Sequence, residues 1–119
     1  MRGFIGTSQS DNISEAIAQA TKGLKKADLL ILIAPFIKAA KAAEYLAEKY
    51  PGTPMIGTTS AYYTAKSTDD SSIMVIALAG VTVSTGVITN TRKAPVTSIL
   101  EFEENLCSIE PEAANTVCL

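Results

Sequence analysis

Asp28-Leu29-Leu30-Ile31-Leu32-Ile33-Ala34 is the stretch that decides the fold. From Leu29 onward it is apolar without interruption, and Pro35 stops it. A half-solvated strand alternates apolar and polar residues, whereas a continuous apolar run of this length, ended by a breaker, reads as a central strand covered on both faces of an α/β sheet.

Working outward, the spacing predicts a helix before this strand and another after it. Asn12 stands three residues ahead of Glu15, the arrangement in which an Asn caps the first amides and the acid reaches back to the cap. Ile13, Ala16, Ile17, Ala20 and Leu24 then recur on one helical face, predicting a helix from about Ile13 to Lys26. Beyond Pro35, the Ala-, Lys-, Glu- and Leu-rich segment from Ile37 to Tyr50 predicts a second helix, with Ile37, Ala40, Ala43, Leu46 and Ala47 on its apolar face and Pro51-Gly52 at its end.

Gly3 to Ser8 reads as a first strand and Pro54 to Thr59 as a third, giving the order βαβαβ with right-handed crossovers. Ser60 to Ser72 reads as a polar loop. Ile73 to Leu78 and Val81 to Ile88, joined at Ala79-Gly80, read as an antiparallel hairpin. Val96 to Leu106 reads as a weak helix with Pro95 in its first turn, and Thr116 to Leu119 as the beginning of another strand. The expected fold class is therefore α/β, with βαβαβ parallel units followed by an antiparallel β-hairpin in a mixed sheet and helices packed on the sheet. Residues 1–119 are expected to form a single α/β domain.

Composition narrows the function. The 119 residues carry 47% apolar and 18% charged side chains, an ordinary globular balance. A net charge of -2 offers no long-range attraction to phosphate backbones or anionic lipid, so neither nucleic acid nor a membrane surface is an expected partner. Met1 to Ile5 runs directly into small polar residues without a signal-length apolar stretch, and Leu29 to Ile37 is too short to span a bilayer, so a cytoplasmic protein is expected. Histidine is absent. That removes Ser-His-Asp and Cys-His catalysis and haem held by a proximal histidine. Cys107 and Cys118 read as free thiols, since two cysteines without histidine cannot close a zinc site. Asp69-Asp70-Ser71-Ser72 lacks the alternating ligands of a calcium loop, and Ser60 with Lys66 lacks anything to activate the lysine, so neither a metal nor a catalytic residue is assigned.

Ligands of open α/β sheets settle beyond the carboxyl ends of the parallel strands. Here those ends are Thr7, Ser8 and Ser10, then Pro35 and Phe36, then Thr58, Thr59 and Ser60. Small hydroxyl residues together with helix-start amides suit a carboxylate or phosphate. Tyr62 and Tyr63 follow the third strand and could close over a ligand as a lid.

Met55-Ile56-Gly57-Thr58-Thr59-Ser60-Ala61, followed by Asp70 to Leu78, resembles the N-terminal FIST pattern, in which a strand ends in a Gly-Cys-Ser/Thr-Thr-Ala-Gly-like turn and a hydrophobic strand follows. Thr7-Ser8, the Asp28 to Leu32 strand and Asn115 to Leu119 resemble its other elements. The chain departs from the pattern at Thr58, where relatives carry Cys, at Tyr62, where they carry Gly, and at Tyr63, where an acid is frequent. The resemblance implies an N-terminal portion of a larger sensory domain of intracellular signal transduction. It implies a small ligand such as an amino acid or carboxylate, and as partners a C-terminal FIST half or an output domain; some members of the family are haem-linked sensors, but without histidine no cofactor is expected here, and no enzymatic activity is expected. A homodimer is the expected assembly. The alternatives are an oligomerisation or scaffold module and, less favoured, a small enzyme acting without histidine.

Overall fold

A computed structural model of the chain describes residues 1–59, 62–63, 68–69, 72–105, 116–117 and 119. Its elements run β1 (Arg2–Ser8), α1 (Ile13–Ala20), β2 (Leu29–Ala34), α2 (Phe36–Lys49), β3 (Met55–Thr59), β4 (Tyr62–Tyr63), β5 (Thr68–Asp69), β6 (Ile73–Ala79) and α3 (Pro95–Asn105). The chain divides into two compact units, Met1–Val81 and Thr82–Leu119.

In the first unit β1, β6, β2 and β3 form one sheet in that order. β2 and β3 are parallel neighbours, while β6 lies antiparallel to both β1 and β2. The α/β class and the mixed sheet agree with the sequence pattern, but the antiparallel pairing differs from the expected hairpin. Residues 81–88 carry no strand. The reason is that β6 is inserted between β1 and β2, so both of its edges are already occupied and none remains for a hairpin partner. The chain turns away at Gly80 (φ 78°), whose amide donates to Asp28 Oδ2 at 2.7 Å, and the Val81 amide reaches the same oxygen at 3.4 Å.

Both crossovers step across the sheet in the same direction, which places α1 and α2 side by side on one face. Beneath them Leu30, Leu32, Ala34, Ile73, Val75 and Ala77 are buried against Ala16, Ile17 and Ala20 of α1 and Ala42 and Leu46 of α2. α1 sits so close to β1 that a Cβ at Gly6 would run into the Ala20 carbonyl. The opposite face carries the alternate residues, among them one row that crosses all four strands: Ile5, Ile76, Ile31 and Ile56.

Two helices depart from their expected limits. α1 ends at Ala20 rather than near Lys26, because the Thr21 hydroxyl donates back to the Ile17 carbonyl (2.6 Å) and Gly23 takes φ 87°. On α2, Ile37, Ala40 and Ala47 are exposed and the inward residues are Ala42 and Leu46. Alanines on both sides of the helix blur its apolar face, so its rotation is not fixed by pattern alone. The segment expected to be a loop from Ser60 to Ser72 contains the two-residue strands β4 and β5, paired Tyr62↔Asp69 and Tyr63↔Thr68.

In the second unit, Asn90 (φ 55°) turns the chain into α3, and its carbonyl accepts from the Lys93 and Ala94 amides. This is the helix expected around Pro95 to Leu106. Ser98 is buried, while Val96, Ile99 and Leu100 are exposed. The phenyl ring of Phe102 lies against Gly86, 2.6 Å from where a Cβ there would stand. The beginning of a strand expected at Thr116 to Leu119 is not found at Thr116, Val117 or Leu119, and Cys118, like Cys107, lies outside the described residues.

Candidate functional site

β1 and β2 both run antiparallel to β6, and β3 runs with β2, so the carboxyl ends of β1, β2 and β3 meet one end of the sheet. The insertion of β6 spreads them out. At about 4.8 Å per strand, β1 and β2 end roughly 10 Å apart and β1 and β3 roughly 14 Å apart. Thr58 and Thr59, exposed at the end of β3, therefore stand well away from Ser8 and Ser10.

Ser8 is buried, and its hydroxyl donates to Gln19 Oε1 at 2.6 Å and accepts from the Ser10 amide at 3.2 Å. The Ser10 hydroxyl accepts from the Asn12 amide and donates to Glu15 Oε2, both at 3.3 Å. Asn12 caps α1 through the Glu15 amide (3.1 Å), and Gln19 Nε2 returns to Glu15 Oε1 (3.0 Å). The expected capping box is thus relayed: Glu15 reaches back to the Ser10 hydroxyl, which in turn holds the Asn12 amide. Thr7, by strand alternation, points its side chain to the face without helices. The hydroxyls after β1 are engaged in holding the turn, as Ser and Asn near helix starts commonly are.

The start of α2 is different. Pro35 is its N-cap residue and offers no side-chain bond to the helix amides. Phe36 and Ile37 follow at 87% and 88% exposure. Phe36 thus opens α2 instead of ending a loop. Lys38 comes next, with a side chain only 14% exposed. Its ammonium crosses to the loop after β1, 3.5 Å from the Ser10 carbonyl and 3.4 Å from Asp11 Oδ1. Both distances are longer than the usual ~2.9 Å for a nitrogen–oxygen bond. Sequence reasoning did not single out Lys38 or Asp11. The signal was present, because a cation in the first turn opposes the helix dipole and calls for an anion nearby.

Of the expected site, the structure brings Ser8, Ser10, Pro35 and Phe36 to one region through Lys38. Thr58 and Thr59 share the same end of the sheet but not that region. Ser60 lies outside the described residues, and Tyr62 and Tyr63 belong to β4. A shallow groove of about 310 Å³ lies instead between the helices, lined by Ser14, Ile17, Ala18, Tyr45, Glu48 and Lys49. It is open and sits on the helix layer, away from the strand ends where backbone amides and a cation converge. Among the described residues no cluster of three or more Cys, Asp or Glu could hold a metal ion, and no helix is long and apolar enough to cross a membrane.

The family model of the FIST N domain matches residues 28–119, from the edge of β2 through β3, β6 and α3. The chain belongs to the FIST N domain family. FIST domains are generally sensory domains of signal transduction and not typically catalytic. β1 and α1 precede the matched residues, and β1 completes the sheet that α1 covers. A comparison with curated proteins gives no match.

Proposed function

We propose that this FIST chain is a non-catalytic sensor of the cell interior that binds a small carboxylate, such as an amino acid, beside Lys38, and signals through an attached C-terminal half or output domain. The observation that carries this reading is the Lys38 ammonium, which reaches from α2 to Ser10 and Asp11 of the loop after β1 at the carboxyl end of the sheet. It stands on the first turn of α2, where the helix dipole adds positive potential and no side chain from Pro35 closes the first amides. A carboxylate placed there accepts from the ammonium and from these amides. The Asp11 carboxylate, fully exposed, suits the amino group of the same ligand. Exposed Phe36 flanks the position with an apolar surface.

The same geometry offers a way to pass on the signal. Lys38 joins α2 to the loop that precedes α1, so a ligand that takes over the ammonium loosens one helix start from the other. A ligand shifts such an equilibrium only by its differential affinity for the two arrangements, and here that difference is the Lys38 tether.

The test is a thermal-shift screen of the full chain against the twenty amino acids and small mono- and dicarboxylates. Binding to the folded state raises the midpoint with ligand concentration. A hit is expected to weaken about 10- to 100-fold in Lys38→Ala, the range for losing a hydrogen bond to a charged group, and to survive in Lys38→Arg. No shift with any of these compounds would sink the proposal.

A further inference from the structure

β1 is an edge strand, with β6 as its single strand neighbour among the described residues. Proteins ordinarily guard such edges with proline, a bulge, short length or an inward charge. β1 has none of these: it pairs with β6 in unbroken register over seven residues and carries its one charge, Arg2, at its very start. The direction of its unpaired groups follows from β6. The Leu78 carbonyl accepts from the Asp28 amide and the Gly80 amide also turns toward Asp28, so even-numbered residues of β6 face β2 and odd-numbered ones face β1. In the register Arg2↔Ala79, Phe4↔Ala77, Gly6↔Val75, Ser8↔Ile73, the residues bonding to β6 are Arg2, Phe4, Gly6 and Ser8. The backbone groups of Gly3, Ile5 and Thr7 therefore lie along the outer edge, and all three residues are exposed.

We infer that this edge pairs with β1 of a second copy of the chain, antiparallel, about a two-fold axis at Ile5. Three observations select a second copy as the occupant. The outward groups of Gly3, Ile5 and Thr7 are spaced symmetrically about Ile5, so the edge is complementary to itself: Ile5 meets Ile5 and each Gly3 meets a Thr7, closing about six backbone bonds. No charge faces a like charge in that register, because Arg2 falls opposite Ser8. Ile5, 68% exposed on the chain alone, gains its own counterpart as a cross-strand neighbour, and the row Ile5, Ile76, Ile31, Ile56 continues into the second copy. The product is an eight-stranded sheet. An interface built mainly from one strand pair is small, so association in the micromolar range is expected. The inference goes beyond the sensor reading and does not depend on any ligand.

Sedimentation of the full chain from about 1 to 500 μM, spanning that range, should show mass rising toward twice the 12.5 kDa of one chain. Ile5→Lys and Ile5→Glu each replace the Ile–Ile pair by like charges opposite one another on the axis and should each raise the dissociation constant about tenfold. Their circular dichroism should be unchanged, since the side chain is exposed. An equimolar mixture of the two variants should recover the dimer, because Lys then faces Glu. Amide exchange supplies a second measurement: Ile5 should be protected at high concentration and not at low. A wild-type monomer throughout, variants that dimerise normally, or a mixture that stays monomeric would each overturn the inference.

Discussion

The two helices that cover the sheet begin in opposite ways. α1 starts inside a closed web, with Ser8, Ser10, Asn12, Glu15 and Gln19 bonded to one another in sequence. α2 starts at a proline with no side-chain cap, beside exposed Phe36 and Ile37 and a lysine that reaches across to Ser10 and Asp11. Both follow a strand of the same direction and both present positive helix ends to the same end of the sheet. What differs is whether the chain's own side chains have already satisfied that end. Polar residues crowded at a strand end are thus a poor guide to a binding site, since crowding itself permits them to bond to one another. The sparsely furnished start of α2 is the better candidate.

The α1 start depends most heavily on Gly6. Any Cβ there meets the Ala20 carbonyl, so Gly6→Ala must push α1 away from β1 and carry the α1 web with it. Overpacking against backbone is expected to cost about 3 kcal/mol, read as a lower urea midpoint; a loss below about 1 kcal/mol would mean that α1 does not rest on β1 as described. A milder change sharpens the contrast. Asn12→Ala removes the α1 cap at a cost of about 1 kcal/mol and should leave binding of any hit from the carboxylate screen unaltered. If that variant instead binds less tightly while melting normally, the ligand sits at α1. The smallest effect on stability is expected at the other helix. Pro35 has φ -58° and ψ 146°, an extended backbone that suits a capping residue. Pro35→Asp should supply the missing cap, while the unfolded chain gains the freedom that proline denied it, so stability should change by less than about 0.5 kcal/mol. Ligand affinity should nevertheless fall about tenfold or more, because a resident carboxylate then occupies the α2 amides.

Much of this architecture is legible in the sequence. The β2 run, the Asn12 cap with its Ile13, Ala16, Ile17, Ala20 face, and the Pro35 and Pro51-Gly52 boundaries of α2 are local signals, and local signals survive folding. The position of β6 is not local. Seven apolar residues from Ile73 to Ala79 fit a hairpin with the next segment equally well as insertion between β1 and β2, and only the pairing of distant strands selects the second. That insertion is also what separates Thr58 and Thr59 from Ser8 and Ser10. Asp28 was read only as the first residue of a strand, yet its carboxylate anchors Gly80 and Val81 from more than fifty positions away. Lys38 escaped notice for a related reason: on a helix containing three lysines, its distinction lies in a partner on another loop.

The most direct test of the account is a titration of the ¹⁵N-labelled full chain with the best hit of the carboxylate screen, followed by amide chemical shifts. The largest shifts should fall on Phe36, Ile37, Lys38, Ser10 and Asp11, with smaller ones at Thr58 and Thr59. Largest shifts in the groove residues Ser14, Ala18 and Tyr45, or in the unit from Thr82 onward, would contradict it.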